Sequence, residues 1–102
     1  MLKVEEKIQE YLHFLNPQEK NINKILIQLL QKEYRRRLTR YENVDRALQQ
    51  KYGVSFNKFN AKNIVRERGF SWEVESDAMS WEQAIDGIKT MRRKLDELNT
   101  LK

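Results

Sequence analysis

Large apolar side chains alternate with carboxylates between residues 70 and 82. The group consists of Phe70, Trp72, Glu73, Glu75, Asp77, Trp81 and Glu82. Tryptophan is over-represented among the residues that dominate binding energy at protein interfaces, and carboxylates complement a basic surface. The segment therefore predicts a docking site for a partner with a basic groove. Two other interpretations stay open: Trp72 and Trp81 could seal the end of a helical core, or Glu73, Glu75 and Asp77 could bind a divalent metal ion.

A second candidate surface is basic. Lys32, Arg36 and Arg40 recur every four residues and therefore share one face of a helix. Arginine forms bidentate hydrogen bonds with phosphate, so this face could bind the backbone of a nucleic acid. It could also be a solvated outer face, with Arg37 and Arg40 partly paired to Glu33 and Glu42, or a contact for an acidic protein.

Catalytic chemistry has little support in the sequence. The chain has no cysteine and a single histidine, His13, which follows Leu12 on an amphipathic segment. Nucleophilic catalysis needs a base beside the nucleophile, and the sequence contains no phosphate-binding loop, dinucleotide motif or zinc-protease motif. We therefore predict a protein that acts by binding and is not an enzyme, with no cofactor and no metal ion.

The elements that position these residues are predicted to be helical. Three Gly and one Pro in 102 residues are too few for the turns of a β-rich fold. Apolar periodicity predicts helices over residues 3–15, 22–52 and 55–68. Asn16 and Pro17 fit the N-cap and the first turn of the second of these helices. Ser80 and Gln83 match a capping box, so the last helix is expected to begin near Trp81. The alternation of apolar and polar residues over 71–77 predicts an extended arm.

These elements predict an all-α domain spanning residues 1–102. Its core would be a long antiparallel helical hairpin, accompanied by an N-terminal helix, a short middle helix and the extended arm. The last helix has an apolar heptad pattern, formed by Trp81, Ala84, Ile88, Met91, Leu95 and Leu98. This stripe would pack inside the hairpin against residues 22–52, or it would face a second chain in a homo-oligomer.

Charge is distributed unevenly along the chain. Residues 21–69 carry twelve basic and four acidic side chains, a net charge of +8, whereas both flanking segments are slightly acidic and the whole chain carries +5. No stretch has the roughly 20 apolar residues that a bilayer span requires, and the N-terminal segment has acidic residues where a secretory signal needs apolar ones. We expect a cytoplasmic protein without membrane contact.

The order of several motifs resembles a family of small helical proteins from archaea and bacteria. The matching segments are YRRRLTRYE at 34–42, KYGVSF at 51–56, RERG at 66–69 and WEVESDAMSWE at 72–82. The similarity covers residues 30–98. These proteins are encoded beside toxin genes and are generally treated as the antitoxins of type II toxin–antitoxin modules. The resemblance implies that the partner is a cognate toxin whose active site the chain occludes.

Toxins that act on RNA or nucleotides usually need basic clefts, so an acidic strip anchored by Trp72 and Trp81 would imitate the phosphates of their substrates. The chain has no ribbon–helix–helix, helix-turn-helix or swapped-hairpin pattern, so the resemblance does not extend to transcriptional autoregulation. The alternatives are a small basic nucleic-acid-binding protein and a coiled-coil oligomerisation protein.

Overall fold

The computed structural model describes residues 4–101, and within this range the chain forms helices and no strand. The helices are α1 (Glu6–Leu15), α2 (Ile22–Tyr52), α3 (Phe56–Ala61), α4 (Ile64–Glu67) and α5 (Trp72–Asn99). The prediction of an all-α fold is confirmed.

Helices α2 and α5 form a long antiparallel pair. Gln31 lies opposite Asn99 near one end, and Tyr52 lies opposite Asp77 near the other. At about 1.5 Å per residue, the 31 residues of α2 extend for about 46 Å. The described chain is therefore a rod that measures 59 × 24 × 24 Å. The predicted helical hairpin is present, and α2 ends at Tyr52 as expected. The predicted N-cap at Asn16 is wrong, because the side chain of Asn21 caps α2 by accepting a hydrogen bond from the backbone N–H of Asn23.

The heptad stripe of α5 packs inside this hairpin. Trp81, Ala84, Ile88, Met91 and Leu98 are all buried within the single chain. At the end where α3 and α4 cover the hairpin, Leu48, Phe59, Ile64 and Val74 join Trp81 in the largest buried cluster. The stripe is thus used for internal packing and is not exposed for a second chain.

The prediction of an extended arm over residues 71–77 is wrong, because residues 72–77 form the first turns of α5. The hydroxyl of Ser71 caps the helix by accepting a hydrogen bond from the backbone N–H of Val74, at 3.3 Å. Val74 and Ala78 precede Trp81 by seven and three residues, so they extend the buried stripe towards the helix start. Burial of this stripe determines the conformation, and the short alternation around Trp72 is incidental.

The predicted start of the last helix near Trp81 is wrong for the same reason. Ser80 and Gln83 match a capping box in sequence, but both lie on the exposed side of α5, well inside the helix. Because the backbone N–H groups there already bond within the helix, no cap is needed at Ser80.

The predicted middle helix over residues 55–68 is two short helices. Asn63 has φ of 54°, which is left-handed and separates α3 from α4. Ser55 caps α3 as expected, by accepting a hydrogen bond from the N–H of Lys58. Gly69 and Phe70 also have positive φ, and this turn redirects the chain into α5.

Helix α1 lies beside the first turns of α2. Leu12 is the one buried residue of α1. Just after the helix, the side-chain amide of Asn16 donates a hydrogen bond to Oε1 of Gln28, at 3.0 Å. The sequence predicted this helix over residues 3–15, and its position 3 lies outside the described residues. The attachment of α1 leaves much of its apolar surface exposed.

Candidate functional site

The seven residues predicted to dock a partner do not share one face, because six of them belong to helix α5 and point in different directions around it. A helix places residues three and four apart on the same face. Trp72, Glu75 and Glu82 therefore share the outer face, whereas Trp81 faces α2 and Glu73 and Asp77 lie together beside Lys51. Phe70 precedes the helix and is exposed.

Trp81 belongs to the core. Its side chain has 0% exposure and lies against the rings of Tyr52, Phe56 and Phe59, with centroid distances of 5.0 to 6.0 Å. Its indole Nε1–H donates a hydrogen bond to Oδ1 of Asp45, at 2.8 Å. Trp81 thus seals the end of the hairpin, as one of the sequence interpretations proposed, and it is not available at the surface.

Glu73 and Asp77 are joined by one ammonium group. Nζ of Lys51 donates to Oε1 of Glu73 at 2.7 Å and to Oδ2 of Asp77 at 2.6 Å, and the hydroxyl of Tyr52 also donates to Asp77 at 2.6 Å. Among residues 4–101 there is no group of three side chains placed to hold a metal ion. The ammonium group of Lys51 bonds both Glu73 and Asp77 and so takes the position that a metal ion would need. Glu75 lies on another face of the helix.

The contacts in this cluster shift the pKa values of three side chains. Burial raises the pKa of Asp77, but the hydrogen bonds from Lys51 and Tyr52 outweigh it and hold that pKa below its ordinary value. The same bonds to Asp77 and Glu73 raise the pKa of Lys51. Burial, together with the hydrogen bond to Asp77, raises the pKa of Tyr52 to about 12. The hydrogen bonds of the cluster therefore favour the charged forms of Asp77 and Lys51 beside a neutral Tyr52 phenol.

The outer face of α5 keeps Trp72, Glu75 and Glu82 of the predicted set and adds two residues. We call it the acidic stripe, and it consists of Trp72, Glu75, Met79, Glu82 and Asp86. These positions advance by alternating steps of three and four residues, so the stripe is continuous over four helical turns. The side chain of Trp72 is 77% exposed and that of Met79 is 57% exposed. Within the described chain, no Lys or Arg forms an ion pair with the three carboxylates.

No family model, curated protein or solved structure matches this chain. In the part of the chain that the structure describes, no helix combines the length and apolar character needed to cross a bilayer. The interpretation of the site therefore depends on its own geometry.

The basic face of α2 is partly neutralised by its own neighbour. Arg36 forms two hydrogen bonds with Glu33, and Nε of Arg37 lies 3.4 Å from the same carboxylate. The hydrogen bond from Arg36 is the main reason that the pKa of Glu33 is lowered to about 2. Lys32 and Arg40 are exposed, and the guanidinium of Arg40 lies 5.8 Å from the ring centre of Tyr41.

Of the predicted side-chain pairs on this face, Arg37 with Glu33 is present. Glu42 pairs instead with Arg92 of α5, at 3.2 Å, and so contributes to the hairpin. The basic face of α2 is therefore exposed and contains one carboxylate, that of Glu33, which pairs with Arg36 and Arg37.

Sequence reasoning missed three residues that build the site. Asp45, Lys51 and Tyr52 lie on α2, between 22 and 36 positions from their partners on α5, so no local pattern marks them. Met79 and Asp86 were visible as an apolar and an acidic residue, but their membership of the stripe follows only once α5 begins at Trp72. A heptad count extended back from Trp81 to Val74 is the signal that would have shown it.

Proposed function

We propose that this chain is a protein-binding module that docks the acidic stripe of α5 against a basic surface of its partner. The observation that carries the proposal is Trp72. Trp81 already closes the core, so the large apolar surface of Trp72 has no role in it and stays exposed beside three carboxylates. Exposed aromatic side chains of this kind are typical anchors of protein interfaces.

The partner that fits this chemistry has a basic cleft with an apolar pocket. Trp72 and Met79 would fill the pocket, while Glu75, Glu82 and Asp86 would steer the approach and oppose the basic groups. Taken with the resemblance to antitoxins, the partner is a cognate toxin in a prokaryotic cytoplasm. The carboxylates would occupy the place of substrate phosphates and so occlude the toxin's active site.

The stripe is rigid before it binds, which supports this proposal. An extended arm would lose conformational entropy on docking, whereas the acidic stripe is already held by the α2–α5 packing. Trp72 and Asp86 are 14 residues apart, or about 21 Å along the helix. A cleft of comparable length would contact all five residues at once.

The test measures the affinity of the full chain for the product of the neighbouring gene, supported by a growth-rescue assay. Trp72→Ala should weaken binding by about 2 kcal/mol or more, which is about thirtyfold in Kd. Neutralising the three carboxylates together should weaken binding mainly at low salt, because their contribution is electrostatic steering. Far-UV circular dichroism should show that both variants keep their helicity.

The matched control neutralises two carboxylates near the other end of α5, Asp96 and Glu97, and should leave binding unchanged. If the control and the stripe variants bind alike, or if Trp72→Ala still neutralises the partner at the wild-type level, the docking surface is elsewhere.

A second candidate function is binding of a nucleic-acid backbone by α2. It is favoured by Lys32 and Arg40, which are exposed and form no ion pair within the described residues. Arg36, in contrast, is already engaged by Glu33. Titration of duplex DNA and single-stranded RNA over a range of salt tests this candidate. Each phosphate contact removed by substitution should reduce the slope of log K against log salt by about 0.9 on B-DNA.

The third candidate, oligomerisation through the heptad stripe of α5, loses its basis. Trp81, Ala84 and Ile88 are buried against the chain's own helices, and Leu95 is half-buried, so that face offers little apolar surface to a second chain.

A further inference from the structure

Seven exposed apolar side chains lie towards the end of the rod opposite Trp72. We call this group the apolar end, and its members are Ile8, Tyr11, Phe14, Leu15, Leu29, Leu30 and Leu101. Leu15 and Leu29 line one shallow cavity between α1 and α2. The hydrogen bond between Gln31 and Asn99 brings the end of α5, and with it Leu101, to the same part of the molecule.

The apolar end exposes a substantial apolar area. Phe14 is 82% exposed, and the exposed fractions of the seven side chains amount to about four whole side chains. At about 200 Å² for an aromatic and about 100 Å² for an aliphatic side chain, these residues expose on the order of 500 Å² of apolar surface in total. The largest apolar patch of a monomeric protein is usually about 300–600 Å² and is often a functional surface.

The charges around the apolar end are opposite on its two helices. Residues 4–15 contain three Glu and one Lys, whereas residues 22–40 contain six Lys or Arg and one Glu. In a two-fold dimer, each contact occurs twice with the roles of the copies exchanged. If α1 of one copy lies against the start of α2 of the other, acidic and basic groups therefore face each other at both places.

We infer that the apolar end is the interface of a homodimer, in which α1 of each copy packs on the first turns of α2 of the other. The occupant is a second copy because the charges of α1 and of the first half of α2 are self-complementary. A partner of one charge sign would match only one of the two helices. An anionic membrane would be opposed by Glu5, Glu6 and Glu10 on α1, since membrane-surface helices usually have basic flanks.

Dimerisation at this end leaves both acidic stripes free. Trp72 lies at the far end of a 59 Å rod, so a dimer would present two docking surfaces that point away from the interface. The inferred assembly is thus independent of the proposed partner and can be tested without it.

Sedimentation velocity of the full chain, over a wide range of concentrations, tests the inference. The wild-type protein should approach twice the 12.4 kDa mass of one chain as its concentration rises. Replacing both Tyr11 and Phe14 with Ser should weaken association at least tenfold. Because both side chains are exposed in the single chain, the variant should keep its helicity. Trp72→Ala is the matched control at the opposite end and should associate like the wild type.

Charge reversal tests which helices meet. One variant carries Glu6→Lys and Glu10→Lys, and another carries Lys24→Glu and Lys32→Glu. Each should associate at least tenfold more weakly alone, and an equimolar mixture should recover the dimer because the reversed charges again complement each other. A failure of the mixture to recover it would overturn the proposed arrangement.

Three other results would overturn the inference. The first is a single-chain mass at every concentration, and the second is association that persists when Tyr11 and Phe14 are replaced. The third is co-sedimentation of the wild-type chain with phosphatidylserine vesicles that these two replacements abolish, which would assign the apolar end to a membrane surface.

Discussion

Gly87 of α5 lies directly against the ring of Tyr41 on α2. A Cβ atom built on Gly87 would come within 2.5 Å of Cδ2 and Cε2 of that ring. Glycine in the middle of a helix costs about 1 kcal/mol relative to alanine, so its presence needs a reason. The reason is close approach: without a side chain at position 87, the tyrosine ring can pack between the two long helices.

Gly87→Ala should therefore destabilise the fold even though alanine favours a helix. Overpacking of this kind typically costs about 1–3 kcal/mol, which outweighs the gain in helix propensity. Thermal or urea denaturation measures the change. Tyr41→Ala in the same chain should remove most of the penalty, so the two substitutions should be strongly non-additive. A stabilising Gly87→Ala would show that the ring moves aside at no cost.

The hydrogen bond between Trp81 and Asp45 gives a second prediction. Because the indole N–H is buried, Asp45→Ala leaves it without an acceptor and should cost about 1–3 kcal/mol in the free energy of unfolding. Asp45→Asn keeps a carbonyl oxygen at this position and should cost less. Oδ2 of Asp45 also accepts a hydrogen bond from Gln49, so Gln49→Ala is the matched control. Equal losses for the Ala and Asn variants would contradict the assigned bond.

Alkaline pH should weaken the fold through Tyr52. Its pKa is about 12 in the folded chain and about 10 when unfolded, so the phenol contributes stability below pH 10 that is lost as the pH rises towards 12. Tyr52→Phe removes this titration along with the hydrogen bond to Asp77. The variant should be less stable than the wild type at neutral pH, and the difference should shrink above pH 10. Urea denaturation at a series of pH values measures it.

Acidic pH should weaken the fold through Asp77, which accepts the hydrogen bond from Tyr52. The pKa of Asp77 is lowered in the folded chain, so its contribution to stability is present above its ordinary pKa and is lost as the pH falls through the folded value. The wild-type protein should therefore lose more stability on acidification than Asp77→Asn does. Parallel acid-induced slopes in the two proteins would contradict the assignment.

Much of the fold followed from local chemistry. The uninterrupted helix α2 and its end at Tyr52 were predicted, because the chain contains no breaker between Ile22 and Tyr52 and Gly53 adopts the left-handed conformation that ends a helix. The heptad of the last helix was also visible, since its period of three and four residues persists beyond Trp81. Strong periodicity over many residues is what made both predictions possible.

The start of α5 could not be chosen in the same way. Ser71 and Ser80 both have a side chain that can cap a helix. The alternation of apolar and polar residues after Ser71 is so short that it is also compatible with a helix. What decides between them is tertiary: Val74 and Ala78 pack with the cluster around Trp81, and that contact depends on α3 and α4. The candidate site changed accordingly, because the phase of the helix separates Glu75 from Glu73 and Asp77.

The two serines themselves supply the sharpest test of where α5 begins. The hydroxyl of Ser71 satisfies the N–H of Val74, so Ser71→Ala should cost about 1 kcal/mol in the free energy of unfolding and fray the first turn, which contains Trp72. Ser80 is exposed in the helix interior, where alanine is the better helix former, so Ser80→Ala should be neutral or stabilise the protein by a few tenths of a kcal/mol. Urea denaturation gives the energies, and amide exchange at residues 74–77 reports the fraying. The opposite order of effects would restore an extended arm and a helix that begins near Trp81.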